Sequence, residues 1–140
     1  MRSRPLLELS FVSDLACAEV AVGACATLAQ QLGFSDEECS DIGMALRESV
    51  NNAIIHGNSR NGHKKVRVRF LGAKGQITVV VRDQGPGFDP TTVPDPTAPE
   101  NLLRPCGRGI FLMRHFMDDV AFRFRGPGTE VKLVRHARSR

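Results

Sequence analysis

Glu48 and Asn52 stand four residues apart in the run Glu48-Ser49-Val50-Asn51-Asn52-Ala53-Ile54-Ile55-His56-Gly57-Asn58. The apolar pattern around them is helix-like, and that spacing puts a carboxylate and a carboxamide about one turn apart on one helix face. The carboxylate can accept a proton, and the amide oxygen can hold a hard cation such as Mg2+. Either side chain alone is ordinary on an exposed helix. The pair acquires weight from two later stretches, Asp83-Gln84-Gly85-Pro86-Gly87-Phe88 and Gly107-Arg108-Gly109.

Asp83 follows the β-branched run Ile77-Thr78-Val79-Val80-Val81, which reads as a central strand. A carboxylate at a strand end can accept hydrogen bonds from an exocyclic amine, such as N6 of adenine. Glycines at 85 and 87 let a flat base approach the backbone closely. Gly107-Arg108-Gly109 opens a helix after a loop, where free N–H groups bind anions, and Arg108 adds charge. Gly128-Thr129 closes a hairpin turn, and Thr129 can offer a hydroxyl if that hairpin packs beside Asp83. His56, at the end of the Glu48 helix, suits the negative end of the helix dipole, with a phosphate or water contact as its second role. Taken singly, each of these stretches is also an ordinary turn or joint. No Walker A or Rossmann fingerprint occurs.

The elements that must position these groups can be read from periodicity. Leu7, Leu9 and Phe11 alternate with polar neighbours as in a half-buried strand. Ser13 or Asp14 caps a helix to about Leu32, with Leu15, Val22, Leu28 and Leu32 as its apolar stripe and Gly33 as its stop. Ser35-Asp36-Glu37-Glu38 is a capping box. The helix it starts turns Ile42, Leu46, Val50, Ala53 and Ile54 to the core and ends at Gly57. Val66, Val68 and Phe70 alternate with Arg67 and Arg69 in a one-sided strand, a basic run with Lys64 and Lys65 that reads as a solvated face. Gly109 to Met117 reads as a helix, and 120–124 and 131–134 as a closing hairpin. The order predicts an α+β fold: a two-layer sandwich of a mixed, mostly antiparallel sheet with helices on one face.

Composition narrows the classes. The chain has 140 residues, enough for one domain with one core, and 41% hydrophobic content fits a folded soluble protein. No apolar run approaches the roughly 20 residues a membrane span requires, and none resembles a signal peptide, so a cytoplasmic protein without membrane contact is expected. Cysteines at 17, 25, 39 and 106 match no zinc or redox spacing and read as small core residues. Part of the net charge of +4 sits in a tail from Arg135 to Arg140, read as solvated. With no Trp, no Tyr and no reader motif, direct nucleic-acid binding is not expected. Residues 89–106 carry five prolines and no periodicity, which marks a functional loop.

Together the four stretches resemble the ATP-binding (Bergerat-type) fold shared by histidine kinases, gyrase-type ATPases, a class of heat-shock chaperones and mismatch-repair proteins (the GHKL superfamily). Within it the chain is most similar to the small bacterial serine/threonine kinases that act as anti-sigma factors. The resemblance covers about residues 6–134 of a single domain, 1–140. It implies Glu48 as general base, Asn52 as the Mg2+ ligand and Asp83 as the reader of adenine N6, with Gly87 under the base. Gly107, Arg108 and Gly109 would hold phosphates, and Thr129 would complete the base pocket. Gly85, Phe88 and His56 belong to the same nucleotide site, and 89–106 would be its lid. Asn51 precedes Asn52, but spacing from Glu48 selects Asn52. The implied partners are an anti-anti-sigma protein of the small STAS type as substrate, a sigma factor, and a second copy in a homodimer. Two other functions share the boxes: a nucleotide-binding partner switch without phosphotransfer, and a detached histidine-kinase catalytic domain. The latter is disfavoured because no helix with a phospho-accepting histidine precedes the fold.

Overall fold

The computed structural model describes residues 3–85, 105–124 and 128–138, with side chains for all but 105–108 and 124. Five strands form one sheet: β1 (Arg4–Val12), β2 (Lys65–Ala73), β3 (Gln76–Arg82), β4 (Asp119–Phe124) and β5 (Thr129–His136), in the order β1-β2-β3-β5-β4. All four pairings are antiparallel. The helices α1 (Leu15–Gln31), α2 (Asp36–Asn52) and α3 (Pro105–Phe116) meet the sheet through one core. No described helix is long and apolar enough to cross a membrane.

The core follows the alternation of the strands. Val66, Val68 and Phe70 of β2, Ile77, Val79 and Val81 of β3, and Val131 and Leu133 of β5 are all buried. They meet Ile42, Leu46 and Val50 of α2, spaced four apart on one face and fully buried. Burying each such side chain is worth about 1.5–3 kcal/mol. The capping box forms as expected. Ser35 Oγ accepts from the Glu38 N–H at 3.2 Å, and Glu38 Oε1 accepts from the Ser35 N–H at 3.0 Å. The cap fixes where α2 starts, and the buried Ile42, Leu46 and Val50 set its rotation and hence the face that Glu48 and Asn52 occupy.

Three readings are corrected. In β1 Leu7, Leu9 and Phe11 pair with the buried Phe70, Val68 and Val66 as the alternation requires, but Leu7 is left exposed and Leu6 packs on the core beside Leu9 and Phe11. The pairing with β2 slips between Pro5 and Leu7, which leaves Leu6 as the extra residue of a bulge and lets it pack inward. In α1 the buried stripe is Ala18, Ala21, Cys25 and Ala29, with Leu15 exposed and Val22, Leu28 and Leu32 only flanking it. Small side chains let α1 lie close on α2: a methyl on Gly43 would sit 3.4 Å from Val22 Cγ1. Finally, Arg135 is not part of a solvated tail. It is buried in β5, 3.7 Å from Glu38 Oε2 and 3.9 Å from Asp41 Oδ2, and donates to the Phe116 carbonyl at the end of α3. Glu38 Oε2 also accepts from the Arg138 N–H at 2.9 Å. The Ser35 N–H, helped by Arg138 N–H and Arg135, holds the Glu38 carboxyl below its usual range. Cys25 and Cys39 are buried as small core residues, and burial pushes the Cys25 thiol up to about 12. Cys106 lies outside the described side chains.

Candidate functional site

Helix α2 ends at Asn52 and continues as a π turn over Ala53–Gly57, sealed by the Asn58 N–H on the Ala53 carbonyl at 2.8 Å. The wider turn carries Gly57 against the end of β3. A methyl on Gly57 would overlap the Asp83 carboxylate, and one on Gly85 would run into the Gly57 carbonyl. Two chain segments meet here at a distance only glycine permits. Such π turns recur at functional sites because they redirect the helix end.

Asp83 is buried and cross-linked to the far hairpin. Its N–H donates to the Thr129 carbonyl at 3.1 Å, and its Oδ1 accepts from the Thr129 N–H at 3.1 Å and the Gly85 N–H at 3.0 Å. Burial pushes its carboxyl above the ordinary aspartate range, against the opposing pull of those two N–H groups and of Lys64 and Arg82. No donor among the described residues reaches its Oδ2. The Thr129 hydroxyl is buried beside it and has no partner among the described residues. A buried hydroxyl without a partner is costly, which suits a site whose polar groups are completed by a ligand.

The second glycine stretch comes to the acid–amide pair. A Cβ on Gly109 would lie 2.9 Å from Asn52 Nδ2, 3.4 Å from Asn52 Oδ1 and 3.2 Å from Glu48 Oε2. Both side chains thus converge on the helix backbone at Gly109, and both are only partly buried. Helix α3 begins at Pro105, four residues before the start read from sequence. Proline is pre-shaped for a first helical position, where its missing N–H costs nothing. Gly107 therefore falls among the first-turn N–H groups that have no acceptor within the helix, and Arg108 directly follows it. Gly109 lies just beyond and contributes by close contact.

The fold brings Glu48, Asn52, Asp83, Gly85, Gly109 and Thr129 from four segments to adjoining positions around α2 and its π turn. His56 lies exposed on that turn, with no hydrogen bond or ion pair among the described residues. Gly87, Phe88 and residues 89–104 of the expected lid lie outside the described residues. Sequence reasoning missed Gly57 as a contact residue, taking it only as a helix stop. It also missed Asn58 and Gln84, whose side chains tie the Asp83 turn to β2. An Asn after a helix-ending Gly is common, and nothing local distinguishes this one.

Chemically, the site offers a carboxylate for proton transfer, an amide oxygen for a hard cation and a buried carboxylate for an exocyclic amine. The donor set fits Mg2+, which takes one or two protein oxygens and completes its shell with phosphates and water. No group of three or more acid, His or Cys side chains that could cage a metal occurs among the described residues.

Residues 11–135 match the histidine kinase-like ATPase domain, and the chain belongs to that family. Among its relatives, the anti-sigma F factor of Bacillus subtilis is 32% identical over 142 residues, an alignment covering 97% of this chain and 94% of that protein. The serine-protein kinase RsbW of Oceanobacillus iheyensis is 30% identical over 99 residues, covering 66% of this chain and 63% of the relative. A crystal structure of the RsbU and RsbW domains of a Mycobacterium tuberculosis protein superposes with a TM-score of 0.67 at 16% identity. It spans 97% of this chain and 32% of the mycobacterial one, a likeness of fold.

Proposed function

We propose that the protein is an ATP-dependent serine/threonine protein kinase that acts as an anti-sigma factor and phosphorylates an anti-anti-sigma partner. The observation that carries this reading is the convergence of Glu48 and Asn52 on Gly109, while Asp83 is held beside Gly57 and Thr129. The names of the relatives support both halves, one a serine-protein kinase and another an anti-sigma factor.

Asp83 accepts from the adenine amine, with the Thr129 hydroxyl completing the pocket. The N-terminal turn of α3 receives phosphate oxygens on its free N–H groups. Asn52, beside Glu48, would hold Mg2+, which when bound would supply positive charge against the phosphates. Glu48 takes the proton from a serine or threonine hydroxyl of the partner. That oxygen bonds to the γ-phosphorus as the bond to the bridging oxygen breaks, and ADP leaves. Such transfer relies on positioning and charge neutralisation more than on covalent chemistry, so a sparse site suffices. Assembly as a homodimer, capture of a sigma factor and a cytoplasmic setting belong to the same proposal.

The test is a pull-down from the source cell with and without Mg-ATP, followed by phosphotransfer to the proteins recovered. A sigma factor and a small sheet-and-helix protein phosphorylated on Ser or Thr are expected. Nucleotide binding with no phosphoprotein would instead identify a partner switch, and acid-labile phosphohistidine a histidine-kinase domain.

Replacing Gly109 with alanine separates site from fold. Alanine is favoured over glycine inside a helix by about 1 kcal/mol, so thermal stability should hold or rise. Its methyl would displace only the free ends of Asn52 and Glu48. A shift of about 1 Å in a reacting group can cost about 100-fold. Phosphotransfer measured beside a melting curve should show that drop with no loss of Tm.

A further inference from the structure

Asn58 is completely buried just past the π turn. Its Oδ1 accepts from the Gln84 N–H at 2.7 Å, and its Nδ2 donates to Ser13 Oγ at 2.9 Å and to the Lys65 carbonyl at 3.1 Å. The amide orientation follows from its partners, since an N–H can only donate and a carbonyl can only accept. Gln84 reciprocates: its Oε1 accepts from the Lys65 N–H at 2.7 Å. Ser13 Oγ donates to the Lys64 carbonyl at 2.7 Å. One carboxamide therefore joins the β1–α1 junction, the start of β2 and the turn Asp83-Gln84-Gly85. Ser59 and Arg60, which follow it, both have positive φ, at 51° and 58°. For non-glycine residues that conformation persists only where surrounding contacts impose it.

We propose that Asn58 is the positioning residue for base selectivity, acting through Gln84 on Asp83. This rests on the reading of Asp83 as the group that meets the exocyclic amine. Telling adenine from guanine there means accepting from an amine and repelling a carbonyl oxygen at one place. That requires an acceptor that cannot swing aside. Asp83 is fixed on one side by Thr129 and Gly85. Its following peptide is fixed by Asn58. Without Asn58, the Gln84 N–H loses its acceptor inside the fold, and the turn must move to find another. Asp83 then shifts, and the penalty on guanine falls with the gain on adenine.

The experiment measures Kd for Mg-ATP and Mg-GTP by calorimetry on the full chain, for wild type, Asn58→Ser and Gln84→Ala, with Tm recorded beside each. Wild type should favour ATP. In Asn58→Ser the ATP preference should fall about tenfold, the equivalent of one lost hydrogen bond. Gln84→Ala, which trims an exposed side chain and removes only the Lys65 contact, should move the ratio in the same direction by less. Where Asn58→Ser does not fold, Gln84→Ala decides. A ratio unchanged in the folded variants, with only Tm or both affinities lowered alike, would overturn the inference and leave Asn58 a structural residue. Wild type that binds neither nucleotide, or both equally, would instead overturn the reading of Asp83 itself.

Discussion

Replacing Glu48 with glutamine should lower phosphotransfer to a Ser/Thr partner by about 100- to 10,000-fold, the range spanned by loss of a positioned general base. ATP affinity should change little. Glutamine keeps the volume and an oxygen at the same distance, but it cannot accept a proton at neutral pH. The fold around it is insensitive to the change, because α2 is held by Ile42, Leu46 and Val50, all buried away from Glu48. Glu48 itself lies only partly buried at the helix edge, against Gly109. Binding and chemistry should therefore separate: calorimetry with Mg-ATP reads the first, and phosphate transfer to the purified partner reads the second. Undiminished transfer in the variant would remove Glu48 as the base and leave it a neighbour of the Asn52 cation site.

What could be read beforehand, and what could not, divides along local and non-local physics. Helix α2 was legible because every signal for it is local: Ser35 and Glu38 cap it within one turn, and Ile42, Leu46 and Val50 recur at its period. The same periodicity places Glu48 and Asn52 together without any knowledge of the sheet. Strands β2 and β3 were legible through alternation and β-branching. The buried face of helix α1 is hidden among small residues: close packing on α2 selects Ala18, Ala21, Cys25 and Ala29 over the larger Leu15, Val22 and Leu28. The bulge near Leu6 adds that residue to the core through the pairing with β2, which no single strand encodes. Arg135 reads as part of a basic tail because its neighbours, Glu38 and Asp41, lie about a hundred residues earlier in the chain. At the site, residue types whose chemistry is specific were legible: the acid–amide pair, the Asp before glycines, the second glycine stretch. The scaffold behind them was not. Gly57 against Asp83 and Asn58 against Gln84 are contacts between segments, and each looks unremarkable in its own segment.

Asp83→Asn should abolish most nucleotide binding without weakening the fold, and the reason lies in how the carboxylate is held. Its Oδ1 takes two N–H groups, from Gly85 and Thr129. An asparagine keeps both only if its carbonyl oxygen occupies that position. The flipped amide would set an NH2 against two donors, at about 1–3 kcal/mol for each one left unsatisfied. The amide is thereby oriented, and its NH2 stands where Asp83 has Oδ2. An adenine amine then meets a donor instead of an anionic acceptor. Losing a hydrogen bond to a charged group costs about 1.5–3 kcal/mol, so ATP should bind on the order of 100-fold more weakly, while GTP, with a carbonyl oxygen there, loses less. Stability runs the other way. Burial raises the Asp83 carboxyl above its ordinary range. Its ionised form therefore opposes folding at neutral pH, and that penalty fades as pH falls through the raised value. Asparagine removes the penalty, so Tm at neutral pH should match or exceed wild type. Wild-type ATP affinity should also decline in acid from a higher pH than an ordinary aspartate would give, while the variant shows no such titration. Calorimetric titrations across that range would read both effects, and an Asp83→Asn variant that holds ATP as tightly as wild type would show that Asp83 does not meet the base.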